Sequence, residues 1–101
     1  MVNFVLNFIY NEDGDAVGFW DESVIYKLDG APVGQLNGPS VHKLDGSYIG
    51  ELYEDMIVDR FSQDLGAIDP ATPTRKDGVP MPANRGMMSY GFPDVFDRLI
   101  K

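Results

Sequence analysis

The stretch "IYKLDGAPVGQL" at residues 25–36 is followed, sixteen positions on, by "VHKLDGSYIGEL" at residues 41–52, with the same spacing and nearly the same letters. The phrase occurs twice more, as "IYNEDGDAVGFW" at 9–20 and in a degenerate form as "IVDRFSQDLGAI" at 57–68. Self-similarity at a fixed period is the signature of a repeat architecture. The sequence therefore predicts one structural unit built four times.

The centre of each of the first three copies has the composition of a tight β-turn. Asp-Gly pairs occupy residues 13–14, 29–30 and 45–46 between short β-branched and aromatic runs, which predicts a β-hairpin. A two-residue loop would pair Tyr10 with Val17, whereas a three-residue loop ending in a left-handed glycine would pair Ile9 with Val17. We favour the three-residue loop because it sets two always-aliphatic positions opposite each other on one face.

A glycine recurs in the second half of every copy, at positions 18, 34, 50 and 66. Such a glycine marks a bulge or leaves room for an aromatic ring from a neighbouring strand. With the preferred loop, Gly18 shares a face with Tyr10 and Trp20, and the position of Tyr10 is filled by Tyr26 and His42 in the next copies. The sequence therefore predicts aromatic rings packed over the glycines.

Hairpins this small cannot bury a face alone, so they must stack or close a ring. The turns between copies, such as Asn37-Gly38, are short, so neighbouring hairpins stand side by side. Through the repeated I-Y-x-x-D-G-x-x-V-G-x-W/L phrase, about residues 4–70 resemble the four-fold β-flower family, a bacterial group. The resemblance implies an all-β fold of four 16-residue β-hairpin repeats around a pseudo-four-fold axis. It implies no catalytic residue, since the family has no established activity.

The composition changes after the repeats. The expected organisation is a four-hairpin domain at 1–70, a Pro/Gly-rich coil at 71–91 and a short C-terminal helix at 92–101, with Pro93 at a first helical position. The apolar stripe of this helix consists of Phe92, Phe96, Leu99 and Ile100. Because so short a helix is marginal alone, we expect the stripe to pack on the domain or on a partner chain.

Charge is distributed unevenly along the chain. Residues 1–70 hold thirteen acids and three bases, and residues 71–101 hold three acids and five bases, which gives minus ten and plus two. An acidic body disfavours nucleic acids and membranes as partners, because anionic surfaces are bound through Lys and Arg. The complementary charges and the apolar stripe predict that the tail packs on the ring and that two chains form a homodimer.

Two further features bear on location. The chain has no cysteine, which fits a reducing cytosol. Its apolar start, "MVNFVLNFIY", lacks a basic region and is interrupted by Asn3 and Asn7, so no signal peptide is predicted. Together with the resemblance, these features predict a bacterial cytoplasmic protein.

The stretch "NEDGDAVGFWDE" contains a partial calcium-binding pattern. Its acidic and amide residues fall at ligand positions of an EF-hand loop, but Ala16 stands where that loop requires glycine. The repeat explains the same letters as a hairpin turn. We therefore predict neither a metal site nor a cofactor.

The aromatic positions supply the candidate ligand-binding residues. His42 is the only histidine, and it shares its repeat position with Tyr10 and Tyr26, so it is either a core residue or part of an axial aromatic pocket with Trp20 nearby. No catalytic residue is assigned, and an enzyme is not favoured. The pattern favours a small non-enzymatic protein-binding or assembly module with an unknown protein partner. An acidic inhibitor that mimics nucleic acid and a small-ligand binder at the axial pocket remain the alternatives.

Overall fold

The fold is a run of short β-strands followed by a single 3₁₀ turn, seen in a computed structural model that describes residues 7–62, 66–79, 82 and 84–100. The strands are β1 (Asn7–Tyr10), β2 (Ala16–Asp21), β3 (Val24–Lys27), β4 (Pro32–Asn37), β5 (Ser40–Lys43), β6 (Tyr48–Tyr53) and β7 (Met56–Val58). The 3₁₀ turn spans Phe96–Leu99. The predicted all-β class is confirmed.

The strands form one antiparallel sheet in sequence order, in which each pairs with the next. The sheet is curved, and its first and last strands come together. The Tyr10 N–H donates a hydrogen bond to the Asp55 carbonyl at 2.7 Å. This contact brings β1 beside the start of β7. The result is a nearly closed, barrel-like sheet.

Each Asp-Gly turn has the predicted three-residue loop. In the second copy the Lys27 N–H donates to the Ala31 carbonyl at 2.8 Å, and the Gly30 N–H donates to the Lys27 carbonyl at 2.9 Å. The three loop glycines, Gly14, Gly30 and Gly46, have φ values of 88°, 94° and 99°. Glycine adopts this left-handed conformation without the steric strain that a Cβ would introduce.

The strand register differs from the prediction by one bulge. Ile9 pairs with Gly18 and Tyr10 pairs with Ala16, so Val17 is an extra residue in its strand and the predicted pairing of Ile9 with Val17 is wrong. The same shift recurs in the second and third copies. Because of this bulge, the repeated glycine lies opposite the buried aliphatic residue.

The C-terminal turn fills the inside of the ring. We call Val95, Phe96 and Leu99 the plug; all three are buried in one cluster with the repeated aliphatic residues Ile9, Ile25, Val41 and Ile57. The repeated glycines of the first three copies, Gly18, Gly34 and Gly50, each make room for one plug side chain, whereas Gly66 has no such neighbour. A Cβ on Gly18 would lie 2.8 Å from Cζ of Phe96, and one on Gly34 would lie 2.8 Å from a methyl of Leu99. The predicted packing of Tyr10, Tyr26 and His42 over the glycines is therefore wrong.

The fourth copy is completed by the tail. Its first strand is β7, and the Val95 N–H donates to the Ile57 carbonyl at 2.8 Å while the Asp59 N–H donates to the Pro93 carbonyl at 2.9 Å. The second strand expected from this copy includes Leu65, which lies outside the described residues, and Ile68, which is not in a strand. A segment from beyond the repeats therefore pairs with β7.

The predicted helix at 92–101 is a single 3₁₀ turn. Pro93 and Asp94 pair with the end of β7: the Pro93 carbonyl accepts a hydrogen bond from the Asp59 N–H, and Asp94 forms an antiparallel β-bridge with Val58. An extended segment cannot also begin a helix, so only Phe96–Leu99 turns helically. This pairing explains why Pro93 does not begin the helix predicted at 92–101.

A long coil fastens the hairpin loops. We call residues 66–79, 82 and 84–90 the strap, and its backbone meets the three loop glycines in reverse order. Its N–H groups at Ile68, Lys76 and Arg85 donate to the carbonyls of Gly46, Gly30 and Gly14 at 2.9, 2.9 and 3.0 Å. A Cβ on any of these glycines would overlap the carbonyl oxygen of the strap residue that it meets.

The positive charges of the tail lie against the acidic ring. Lys76 forms an ion pair with Asp21, and the Arg85 guanidinium lies 3.0 Å from the Asp55 carboxylate. Arg98 similarly lies 3.4 Å from the Asp59 carboxylate. The pair of Arg98 and Asp59 is exposed, and such a pair stabilises weakly, by about 0–1 kcal/mol, whereas Lys76 and Arg85 are partly buried. The three pairs nevertheless orient the tail along the ring.

Candidate functional site

Tyr26 and His42 lie on the face of the sheet opposite the plug. Tyr26 follows the inward-facing Ile25 in β3, and its ring stacks on Phe19 with centroids 4.9 Å apart. His42 follows Val41 in β5 and stacks on Tyr48 at 5.1 Å. Successive strand residues point to opposite faces, so these rings are separated from the axis by the sheet itself.

Tyr10 forms part of the junction between the ring and the strap. The Arg85 guanidinium carbon lies 5.0 Å from the centre of the Tyr10 ring, which is a cation–π geometry. The same guanidinium pairs with Asp55, which also accepts a hydrogen bond from the Tyr90 hydroxyl at 2.9 Å. Burial raises the pKa of Tyr90, and the hydrogen bond to Asp55 acts in the same direction. The Tyr10 ring is thus in contact with Arg85 of the strap.

His42 is fully buried. Its Nδ1 lies 3.0 Å from the Gly46 carbonyl oxygen, which also accepts the Ile68 N–H of the strap. Since a carbonyl only accepts, Nδ1 carries the proton in this contact. His42 therefore supports the third hairpin loop at the point where the strap is fastened.

Glu51 is a buried carboxylate on the same face. Its Oε2 accepts hydrogen bonds from the Ser62 hydroxyl at 2.6 Å and backbone N–H at 2.9 Å, and the Arg60 guanidinium lies 3.5 Å from Oε1. Burial acts to raise the pKa of Glu51, but these hydrogen bonds, a further one from Tyr48 and the charge of Arg60 outweigh it, so the pKa is lowered. The carboxylate holds the degenerate fourth loop against β6. The sequence did not indicate this role, because it depends on how the loop at Ser62 folds back on β6, eleven residues away.

The remaining predicted residues divide between the core and the surface. Trp20 packs against the core cluster on the plug side, away from Tyr26 and His42, so the predicted rings do not surround a shared axial pocket. Phe96 and Leu99 are buried in the plug, and Phe92 packs edge-on against Tyr53 at 6.1 Å. Of the stripe, only Ile100 is highly exposed, at 53%. Ligand or partner binding by these residues stays a prediction.

A cleft of about 340 Å³ lies between the loops of the first two hairpins and the C-terminal turn. We call it the first-hairpin cleft. Its lining consists of Asn11, Ala16, Val17, Lys27, Leu28, Asp94, Phe96, Asp97 and Ile100. The volume falls near the lower end of the range for ligand pockets, roughly 300–1,000 Å³. The cleft is therefore large enough for one side chain or a small group.

The wall of the cleft is held by reciprocal hydrogen bonds between the first loop and the tail. The Glu12 N–H donates to Asp94 Oδ2 and the Asp94 N–H donates to Glu12 Oε1, each at 3.2 Å. Residues 82 positions apart in sequence are thus fixed to each other. The shape of the cleft depends on this contact, which no local sequence pattern signals.

A family model described as 4-fold beta flower protein matches residues 7–93. The chain belongs to the 4-fold beta flower family. Neither the curated proteins nor the solved structures contain a match. The β-flower fold is thus established for this chain, while the family description states no activity.

No group of three or more potential metal-ligating side chains is found among the described residues. Within the same residues, no helix is long and apolar enough to cross a membrane. Residues 11–22, which carry the partial calcium pattern, form a hairpin loop and strand in which the Asn11 side chain accepts a hydrogen bond from the Asp15 N–H at 3.0 Å.

Proposed function

We propose that this β-flower protein is a small non-enzymatic protein-binding or assembly module, and that the first-hairpin cleft is its binding surface. The observation that carries the proposal is the exposed Ile100 at the edge of a cleft whose walls include Val17 and Leu28. Apolar side chains arranged around a concavity stabilise a complex when a partner covers them. Scattered exposed apolar residues elsewhere, such as Phe61, do not line this cleft.

The burial of His42 and Glu51, two side chains that could act as a general acid or base, supports a non-enzymatic role. His42 is fully buried and Glu51 is 3% exposed, so neither reaches a substrate in solution. Each is already engaged, His42 with the Gly46 carbonyl and Glu51 with Ser62. A general acid or base must lie within hydrogen-bond reach of the proton that it transfers.

The test measures mass and binding together in wild type and two variants of the full chain. Ile100→Asp places a charge in the cleft at an exposed position, and Phe61→Asp is the matched control at a residue of similar exposure, 52%. Light scattering reports whether two chains associate, and selection from an unbiased displayed peptide library reports partner binding. We expect the Ile100 variant alone to lose dimerisation or peptide binding. Unchanged behaviour of that variant in both assays would refute the assignment.

A further inference from the structure

We infer that the ring accepts the C-terminal segment of a second copy of this chain in place of its own, so that two copies join by exchanging this segment. We call residues 93–100 the exchange segment. It contains the plug and the residues that pair with β7. The inference goes beyond the proposed function, because its binding site is the inside of the ring and the edge of β7 rather than the first-hairpin cleft.

The strands that form the acceptor site are joined to one another independently of the exchange segment. The pairings that connect β1 to β7 in sequence order all lie within residues 7–58. Glycines at equivalent places on three successive hairpins leave spaces on the inner face of this sheet. A Cβ on Gly50 would lie 3.3 Å from a methyl of Val95, as one on Gly18 or Gly34 would meet the other two plug side chains. The ring therefore offers a fitted apolar site for three side chains of the segment.

The edge of β7 holds the backbone of the exchange segment. The Val95 N–H donates to the Ile57 carbonyl at 2.8 Å, and the Asp59 N–H donates to the Pro93 carbonyl at 2.9 Å. Addition of an extended segment to the edge of a sheet is a recurring mode of peptide recognition. The exchange segment is thus held in the way that a separate peptide is held, by edge pairing and by side chains in fitted spaces.

The connection between the strap and the exchange segment contains a suitable hinge. The strap is fastened near its end by the Met88 N–H, which donates to the Glu12 carbonyl at 3.0 Å. Gly91 follows with a φ of 88°, and a Cβ there would meet nothing within 4 Å. Glycine changes backbone conformation at little steric cost. Residues 89–92 span at most about 13–14 Å when extended, so an exchange through this hinge brings two rings edge to edge.

Protein concentration decides which copy supplies the segment. Both sources make the same contacts with the ring, and a short flexible connection gives the chain's own segment an effective concentration on the order of millimolar. Exchange of an identical element is a low-cost route to a dimer, and a reciprocal exchange closes with two-fold symmetry. Folding at micromolar concentration therefore yields monomers, and folding near millimolar concentration yields exchanged dimers.

The first test refolds the full chain from urea at about 10 µM and at about 1 mM, on either side of the crossover, and measures mass by size exclusion with light scattering. We expect a monomer at the lower concentration and a dimer at the higher one. Ile100→Asp should dimerise to the same extent, because Ile100 is exposed and lies outside the plug. Monomers at both concentrations would overturn the exchange. A dimer that Ile100→Asp abolishes would also overturn it, and would assign the contact to the first-hairpin cleft of the proposed function.

Engineered cysteines identify which copy supplies the segment, since the chain has no cysteine of its own. Val58 and Asp94 face each other in the bridge between β7 and the exchange segment. Val58→Cys and Asp94→Cys chains are mixed in urea, refolded together at the higher concentration and oxidised. We expect a disulfide-linked heterodimer, because these positions meet in separate chains only after exchange. Phe61→Cys, at an exposed residue, replaces Val58→Cys in the control mixture. Equal cross-linking in both mixtures would refute the exchanged geometry.

A synthetic peptide of residues 91–100 probes the same site without a dimer. The full-length Phe96→Leu variant weakens its own plug but keeps an apolar side chain there, so its Tm remains measurable. We expect the wild-type peptide to raise this Tm by several degrees as its concentration increases, because a ligand that binds the folded state stabilises it. The same peptide carrying Phe96→Asp should leave the Tm unchanged. No rise with the wild-type peptide, or an equal rise with both peptides, would show that the ring does not accept a separate segment.

Discussion

Replacement of Gly30 by alanine should weaken the protein more than replacement of Gly38. Both residues have positive φ, 94° and 62°, so alanine suffers left-handed strain at either position. They differ in surroundings. A Cβ on Gly30 would overlap the Lys76 carbonyl of the strap, whereas a Cβ on Gly38 would meet nothing within 4 Å. Backbone strain is at least as large at Gly30, because its φ lies outside the left-handed region of about +50 to +70° that L-residues adopt, so the strap contact is isolated by a measurement on the strap itself.

The expected magnitudes follow from these two terms. Left-handed strain costs on the order of 1–2 kcal/mol for a non-glycine residue, and it applies to both variants. Displacing the strap at Gly30 also loses the hydrogen bond from the Lys76 N–H, about 0.5–1.5 kcal/mol. We therefore expect Gly30→Ala to be about 1 kcal/mol less stable than Gly38→Ala, which corresponds to a difference in Tm on the order of 4–8 °C.

Urea unfolding monitored by the fluorescence of Trp20, the only tryptophan, measures the two free energies. Hydrogen exchange at the Lys76 amide reports whether the strap has lifted from the second loop. The reasoning predicts faster exchange at Lys76 in Gly30→Ala only. Equal losses of stability in the two variants, or unchanged protection of Lys76, would show that the strap contributes nothing at this loop.

Two further predictions concern the plug and the buried carboxylate. Phe96→Ala should cost about 3–5 kcal/mol because it empties the space over Gly18, whereas Ile100→Ala, at an exposed position, should change stability by less than about 0.5 kcal/mol in the same urea assay. Because the pKa of Glu51 is lowered in the fold, its stabilisation is present above the unfolded pKa of about 4.3 and is lost as the pH falls through the folded pKa. Glu51→Gln should therefore reduce the loss of unfolding free energy on acidification below about pH 4.3, measured by urea unfolding at a series of pH values. The same loss in the variant and the wild type would contradict this prediction.

The sequence was sufficient for features that depend on local chemistry. The Asp-Gly pairs specify three-residue loops because glycine alone adopts the left-handed position easily, and the sixteen-residue period shows that the loops are equivalent. The repeated glycine indicated either a bulge or room for an aromatic ring, and the sequence did not decide between them; the structure has the bulge, at Val17 in the first copy. Val17 is aliphatic whether it pairs with Ile9 or stands as an extra residue, so its letter carries no information on register.

The strap and the cleft were missed for a different physical reason. The strap meets the loops through backbone N–H groups, so Ile68, Lys76 and Arg85 need share no side-chain chemistry and leave no pattern. The apolar stripe did indicate a docked tail, and Phe96 and Leu99 are buried as that hypothesis requires. The cleft depends on how this tail meets the first loop, which only the folded arrangement fixes.

The reverse order of the strap contacts has a consequence for how the chain folds. The fastened pairs 68 and 46, 76 and 30, and 85 and 14 are separated by 22, 46 and 71 residues. Folding slows as contacts join more distant parts of a chain, and the entropy of closing a loop grows with its length. Hairpins formed from local contacts can therefore assemble first, and the strap can then close on the third copy, the second and finally the first. In this order, the first hairpin, which is synthesised earliest, is the last to form its hydrogen bond with the strap.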